Sequence, residues 1–363
     1  MRLLLFSDLH LETGFAWAPA GVGAARRDAL RECLRRIVAL AASLKVDALC
    51  CGGDLYEHDR YRADTGAFLR STFAEVDPMP VLLAPGNHDW LGPGSIYARE
   101  RWSPNVHVFP EQRPTAFPLA DGLTVWGAAH HSPRNAPNPL EAFRVDRGGV
   151  HLALFHGSEQ GGFERSDEVR HAPFRAAQIG EAGLQHALLG HFHTPRAAPD
   201  HTYPGNPDPL TFGEAGVRGP VLVTVGADGS VAREWHPVAV SSVHDVDVDL
   251  SGAGHAEAVQ DLVDEALHGL SGTARVTLRG EVSPDVAVEP ARLRRPAALD
   301  AWVVRVGDLA YAYDLVALAQ EQTVRGQFVR DVQADLELDE GLRRRILITG
   351  LRAFDGRDDL AVI

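Results

Sequence analysis

Within the first 193 residues, five short apolar runs each end directly in side chains that bind metal ions. They are RLLLFSDLH (Asp8, His10), VDALCCGGD (Asp54), VLLAPGNHD (Asn87, His88, Asp89), HLALFHG (His156) and HALLGHFH (His191, His193). No other feature constrains the fold as strongly. Apolar runs of this length, bounded by glycine and polar residues, read as buried strands. In a parallel sheet the carboxyl ends of neighbouring strands converge on one edge, so residues about 40 positions apart can meet there. Where a strand ends and turns, residues two apart can point the same way, which lets Asp8 with His10, or His191 with His193, supply two ligands from one segment.

The segments between these runs set the architecture. Residues 24–44 carry Leu30, Leu34, Ile37, Val38, Leu40 and Ala41 at helical spacing, and 64–75 reads as a second helix. With strands at 2–6, 46–53 and 79–86, this βαβαβ rhythm predicts parallel strands with helices on both faces. From 106 onward strands crowd together, at 106–109, 123–129, 151–157, 186–191 and 219–225, and predict a second sheet packed on the first. The loop 130–149, HHSPRNAPNPLEAFRVDRGG, has the length of a functional or moving loop. A boundary is expected near 237–243, after the strand-like SVAREWHPV. Beyond it, strands at 243–250, 273–280 and 301–306 and helices at 255–268, about 312–335 and 339–352 form a small α+β domain. The expected domains are therefore 1–240 and 241–363.

Composition narrows the function. A length of 363 residues suits about two domains. With 35 Lys+Arg against 49 Asp+Glu, the net charge of −14 disfavours holding nucleic acid by bulk attraction. Any DNA contact must come from a local arginine cluster, a metal or a partner. No window approaches the ~18 apolar residues of a membrane span. The N-terminus, MRLLLFSDLHLE, lacks a cleavage site and reads as a strand; three cysteines build no disulfide framework. A cytoplasmic enzyme without a membrane segment is expected.

Carboxylate, amide and imidazole without cysteine form a mixed oxygen and nitrogen donor set, which suits Mn²⁺, Fe or Zn²⁺ better than Ca²⁺ or an iron–sulfur cluster. Asp8, Asp54, Asn87 and five histidines exceed what one ion takes and point to two, with a bridging carboxylate holding them about 3.5–4 Å apart. Such a pair suits phosphate ester hydrolysis.

The ordered pattern DxH…GD…GNHD…H…GHxH, over residues 1–225, resembles the signature of the calcineurin-like metallophosphoesterases. That resemblance implies a four-layer α/β/β/α sandwich with a smaller C-terminal α+β capping domain. It implies that Asp8, His10, Asp54 and His193 hold one metal and Asp54, Asn87, His156 and His191 the other, with Asp54 bridging. His88 would be the catalytic acid that protonates the leaving oxygen, and Asp89 would orient it. Within the superfamily, TYPGNPDPLTFGE (202–214) and QEQTVRGQFVRDV (320–332) are similar to elements of the SbcD-like DNA repair exonuclease branch. That likeness implies a DNA exonuclease or endonuclease using two divalent ions, Mn²⁺ foremost with Fe or Zn as alternatives. It also implies an SMC-like ATPase partner and a homodimer. The alternative keeps the chemistry and changes the substrate to nucleotides or phosphoproteins. A scaffold that had lost catalysis would be expected to have lost ligands, and none is missing.

Some members of that branch carry a histidine three residues after the bridging aspartate; here that position is Glu57 and the histidine is His58. Either His58 reaches the site from a shifted backbone or the role is vacant. His130, His131, Arg60 and Tyr61 read as loop residues beside the site, GNPDPLTFGE as a turn cluster, and Arg343–Arg345 as a solvated helix face.

Overall fold

The computed structural model describes residues 1–134, 136–161 and 171–356. The chain divides into two units, Met1–Val243 and His244–Ile363.

In the first unit the elements run β1 (Arg2–Phe6), α1 (Ala20–Leu44), β2 (Ala48–Cys51), α2 (Thr65–Ala74), β3 (Val81–Leu83), α3 (Ile96–Arg99), β4 (Val106–Val108), β5 (Thr115–Ala120), β6 (Leu123–Gly127), β7 (Val150–His156), α4 (Ala177–Glu181), β8 (His186–Gly190), β9 (Arg196–Ala197), β10 (His201–Tyr203), β11 (Val221–Val225) and β12 (Val231–Trp235). They build two six-stranded sheets, ordered β12-β11-β1-β2-β3-β4 and β5-β6-β7-β8-β10-β9. Strands β1 to β4 are parallel, as are β6, β7, β8 and β10. The ligand-bearing strand ends of each sheet therefore share an edge.

Strands covered on both faces must be apolar at nearly every position, and alternate residues sort between two cores. Leu3, Leu5, Ala48, Cys50 and Leu82 meet Val125, Leu152, Leu154 and Leu188 between the sheets. Their neighbours Leu4, Phe6, Leu49, Cys51 and Leu83 face outward onto Leu30, Leu34 and Ile37 of α1 and Leu69 and Phe73 of α2. On the far side Ala153, Phe155, Ala187 and Leu189 pack with Phe174 and with Ile179 of α4. The layers run α/β/β/α.

Three expectations need correction. Helices cover only one face of the first sheet, because the second sheet covers the other. The strands at 106–109 and 219–225 belong to the first sheet and not the second: β4 pairs with β3, and β11 lies antiparallel on β1. The segment TAFPLA, not read as a strand, forms the edge strand β5, a position that tolerates Pro118. Outside residue 135, the loop 130–149 carries no helix or strand.

The second unit begins with β13 (Val243–Asp249), α5 (Ala256–Ala266), β14 (Gly272–Val282) and β15 (Leu299–Tyr311), a sheet ordered β13-β14-β15 in which β14 and β15 are parallel. Val259 and Val263 of α5 pack on Ala274, Val276 and Leu278. The helix expected at 312–335 is two, α6 (Leu315–Gln320) and α7 (Val324–Ala334), followed by α8 (Glu340–Phe354). The break falls where Glu321 turns extended and the Thr323 side chain caps α7 by accepting from Gly326 N.

Candidate metal centre

Four of the expected ligands leave their strands through left-handed backbone: Asp8 (φ 54°), His10 (φ 49°), Asp54 (φ 52°) and His191 (φ 117°). For residues with a Cβ this costs about 1–3 kcal/mol each and needs surroundings that enforce it. Asp8 N donates to Gly53 O (3.0 Å) and His10 N to Asp54 O (3.0 Å), so the turns after β1 and β2 fasten each other. The spacing of two between Asp8 and His10 works through this repeated left-handed turn, and not through strand alternation as the sequence suggested.

Two glycines let the halves of the cluster meet. A Cβ on Gly190, at the end of β8, would stand 2.2 Å from Gly52 O, and one on Gly52 would stand 2.8 Å from Gly190 N. Main chain touches main chain at the edge where both sheets present their ligands.

The side chains then converge. Asp8, His10 and His193 bring donor atoms within 4.8 Å of one another, and so do Asp8, Asp54 and His156. Asp54 Oδ2 lies 3.6 Å from His10 Nε2 and 3.2 Å from His156 Nε2, between the two groups. His191 Nδ1 is 3.3 Å from His156 Nε2. Asn87 is buried, and its Oδ1 has no hydrogen-bond partner among the described residues.

Whether these residues fit cations can be judged from the outward nitrogens of the rings. His10 Nδ1 meets Glu57 Oε1 at 2.8 Å, and His193 Nδ1 meets Glu214 Oε1 at 2.8 Å. His156 Nδ1 donates to Gly52 O at 2.9 Å. Burial pushes both glutamates upward, but hydrogen bonds from their histidines outweigh it and hold each at about 2. As acceptors only, they fix the proton of each neutral ring on Nδ1 and leave Nε2 as a lone pair. The lone pairs of His10 and His193 thus confront each other at 3.2 Å. Together with the orphaned Asn87 oxygen and two buried carboxylates, this donor set fits divalent cations.

Around the cluster the roles differ from expectation. Asp89 does not touch the His88 ring; it accepts from Asp54 N (3.1 Å), Leu55 N (2.7 Å), Gly86 N (2.6 Å) and the Tyr97 hydroxyl (2.5 Å), clamping the loop that carries Asn87 and His88. The His88 ring instead meets Glu57 Oε2 at 3.1 Å, a bond that is the main reason its pKa rises to about 9. His58 neither enters the cluster nor leaves a gap there, since Glu57 occupies the place; His58 stacks on Trp90 with ring centroids 3.9 Å apart. His130 lies behind the site, its Nε2 2.8 Å from His156 O, and His131 contacts Pro110 O. His88 stands 46 % exposed on a cleft of about 880 Å³ whose walls include Thr13, Arg60, Trp90, Arg134 and His171.

The calcineurin-like phosphoesterase family model matches residues 1–195. The chain belongs to that family. It is also 28% identical over 282 residues to the DNA double-strand break repair protein Mre11 of Methanopyrus kandleri, a match that takes in 69% of this chain and 60% of that protein. The chain thus spans less than two thirds of the length of this relative. The crystal structure of TT1561 from Thermus thermophilus aligns loosely, with a TM-score of 0.40 and 16% identity over 64% of this chain and 98% of that one.

Sequence reasoning missed Glu214, Tyr97 and His171, and it singled out Glu57 without giving it a role. Glu214 closes the GNPDPLTFGE element, which is more than a turn: Glu214 Oε2 accepts from Leu210 N (2.6 Å) and Asn206 Nδ2 (2.7 Å) while Oε1 holds His193. A carboxylate ending a glycine- and proline-rich segment just after a paired-histidine motif was the available signal.

Proposed function

We propose that this chain hydrolyses DNA phosphodiester bonds at a two-ion site. Carrying the reading is the placement of His88, a half-exposed imidazole on an open cleft directly beside a buried donor cluster. Asp8, His10, Asp54 and His193 would hold one divalent ion, and Asp54, Asn87, His156 and His191 the other. Bound there, such ions would polarise the phosphoryl oxygens and lower the pKa of a water molecule. His88, its Nδ1 held by Glu57, is suited to give a proton from its other nitrogen to the departing sugar oxygen. Arg60 and Arg134 offer charge to phosphates flanking the scissile one, and Trp90 a ring surface for bases. These walls favour a polynucleotide over a small phosphate ester, and the likeness to an Mre11 protein supports DNA. Mn²⁺ is the ion we assign. Residues 241–363 are read as a capping domain that binds a partner, an SMC-like ATPase, with the chain itself a homodimer. The net charge of −14 supports the need for a partner to hold DNA.

End-labelled linear duplex and single-stranded DNA, incubated with Mn²⁺, tests the reading. The wild-type chain is expected to degrade DNA, and His88→Ala to fall by about 10²–10⁴-fold. Hydrolysis of bis-p-nitrophenyl phosphate without any cleavage of DNA would point to a missing partner or move the substrate to nucleotides.

A further inference from the structure

The loops that follow β2 and β3 meet through aromatic rings as well as through ligands. Tyr56 is fully buried, its hydroxyl accepting from Ile96 N at 2.9 Å. The His58 ring stacks beyond it, centroids 6.5 Å apart, and Trp90 stacks on His58 at 3.9 Å, each plane tilted 24° from the one before. A series of three rings thus runs from the core to the cleft, which His58 and Trp90 line. His58 Nδ1 is buried with no hydrogen-bond partner among the described residues, so the imidazole is placed by its faces and not by that nitrogen. The backbone fixes the series beside the proposed proton donor, with His58 N donating to His88 O (2.9 Å) and Leu91 N to His130 O (2.7 Å). On the same cleft, Arg60 and Arg134 are exposed and make no ion pair among the described residues. An indole backed on one face by another ring is held ready for a third ring, and every nucleobase has a flat face to offer it.

We propose that Trp90, backed by His58, is a stacking platform for the base of a nucleotide flanking the scissile phosphate. The proposal rests on the phosphodiesterase reading and narrows it: the site selects its diester by the base as well as by the phosphate. Stacking tolerates any base sequence, while the two arginines supply charge to phosphates on either side. A diester without a base, or a phosphorylated side chain, leaves the indole face unused.

The test uses the full chain with Mn²⁺. The fluorescent nucleotide 2-aminopurine deoxyriboside 5′-monophosphate, quenched when its base stacks, is expected to be quenched by the wild type. Its dissociation constant should rise about 5–100-fold in Trp90→Ala and recover in part in Trp90→Phe. His58→Ala should share the loss and His58→Phe restore it, since the indole needs only a flat ring behind it. In hydrolysis, the better of thymidine 3′- and 5′-(p-nitrophenyl phosphate) is compared with methyl p-nitrophenyl phosphate, which has the same leaving group and no base. Trp90→Ala should lower kcat/KM for the thymidine ester about 5–100-fold further than for the methyl ester, most of it through KM. No quenching by the wild type, quenching that survives Trp90→Ala, or equal losses on the two esters would overturn the proposal. If the wild-type chain cleaved none of these esters, the phosphodiesterase reading would fall, and the quenching titration would still decide the platform.

Discussion

Two imidazole nitrogens facing each other at 3.2 Å are stable only with a cation or a shared proton between them, and the glutamates behind them decide which. Glu214 takes the outer proton of His193, so Glu214→Gln is expected to weaken Mn²⁺ binding about 10–100-fold, measured by titration of the purified variant. An unchanged affinity would show that the ring is oriented by other contacts. The candidate ligands were legible because each ends an apolar run in a fixed order along the chain. Glu57 and Glu214 were not. Glu57 lies 47 positions from His10 and Glu214 lies 21 from His193, and only tertiary folding brings each pair together. Asp89 was read through its neighbour His88, whereas its own burial among backbone N–H groups makes it a clamp for the loop.

Strands were readable where local pattern suffices, and sheet membership was not, because pairing partners leave no mark in a strand's own residues. Hence β4 and β11 were assigned to the wrong sheet, while the helices α1 and α2, with a full apolar stripe, were found nearly at their bounds. At the same scale, Gly190→Ala places a methyl group against Gly52 O and is expected to cost about 1–3 kcal/mol, with loss of bound Mn²⁺, read by denaturant unfolding and metal analysis. Stability without metal loss would mean that the seam tolerates separation. On β8, burial holds His186 at about 4, below its ordinary 6.5. Between those values the unfolded chain binds more protons, so this group's contribution is complete above pH 6.5 and is lost as pH falls toward 4. The acid loss attributable to His186 is at most about 3 kcal/mol, and His186→Gln should flatten the difference between unfolding at about pH 7 and at about pH 4.5.

At the scale of the whole chain, donors from two sheets and from residues 8 to 193 must be assembled before any ion is held. An ion that binds only the folded form stabilises it, by about 2.7 kcal/mol at 100 times its dissociation constant. The melting temperature of the full chain is therefore expected to rise with Mn²⁺, fall with chelator, and respond to neither in Asp54→Asn. A wild-type melting temperature indifferent to Mn²⁺ would contradict the cluster as a metal site. The contact between Gly52 and Gly190 carries this further. Where one bare backbone rests on another, cohesion along that rim comes from the groups that bridge the two sheets, the hydrogen bond from His156 Nδ1 to Gly52 O and that from His191 N to Asp8 among them. A cation held there would be a clasp as well as a reagent: a compound that stripped it would loosen the rim of the sandwich in the same act that silenced the proposed hydrolysis.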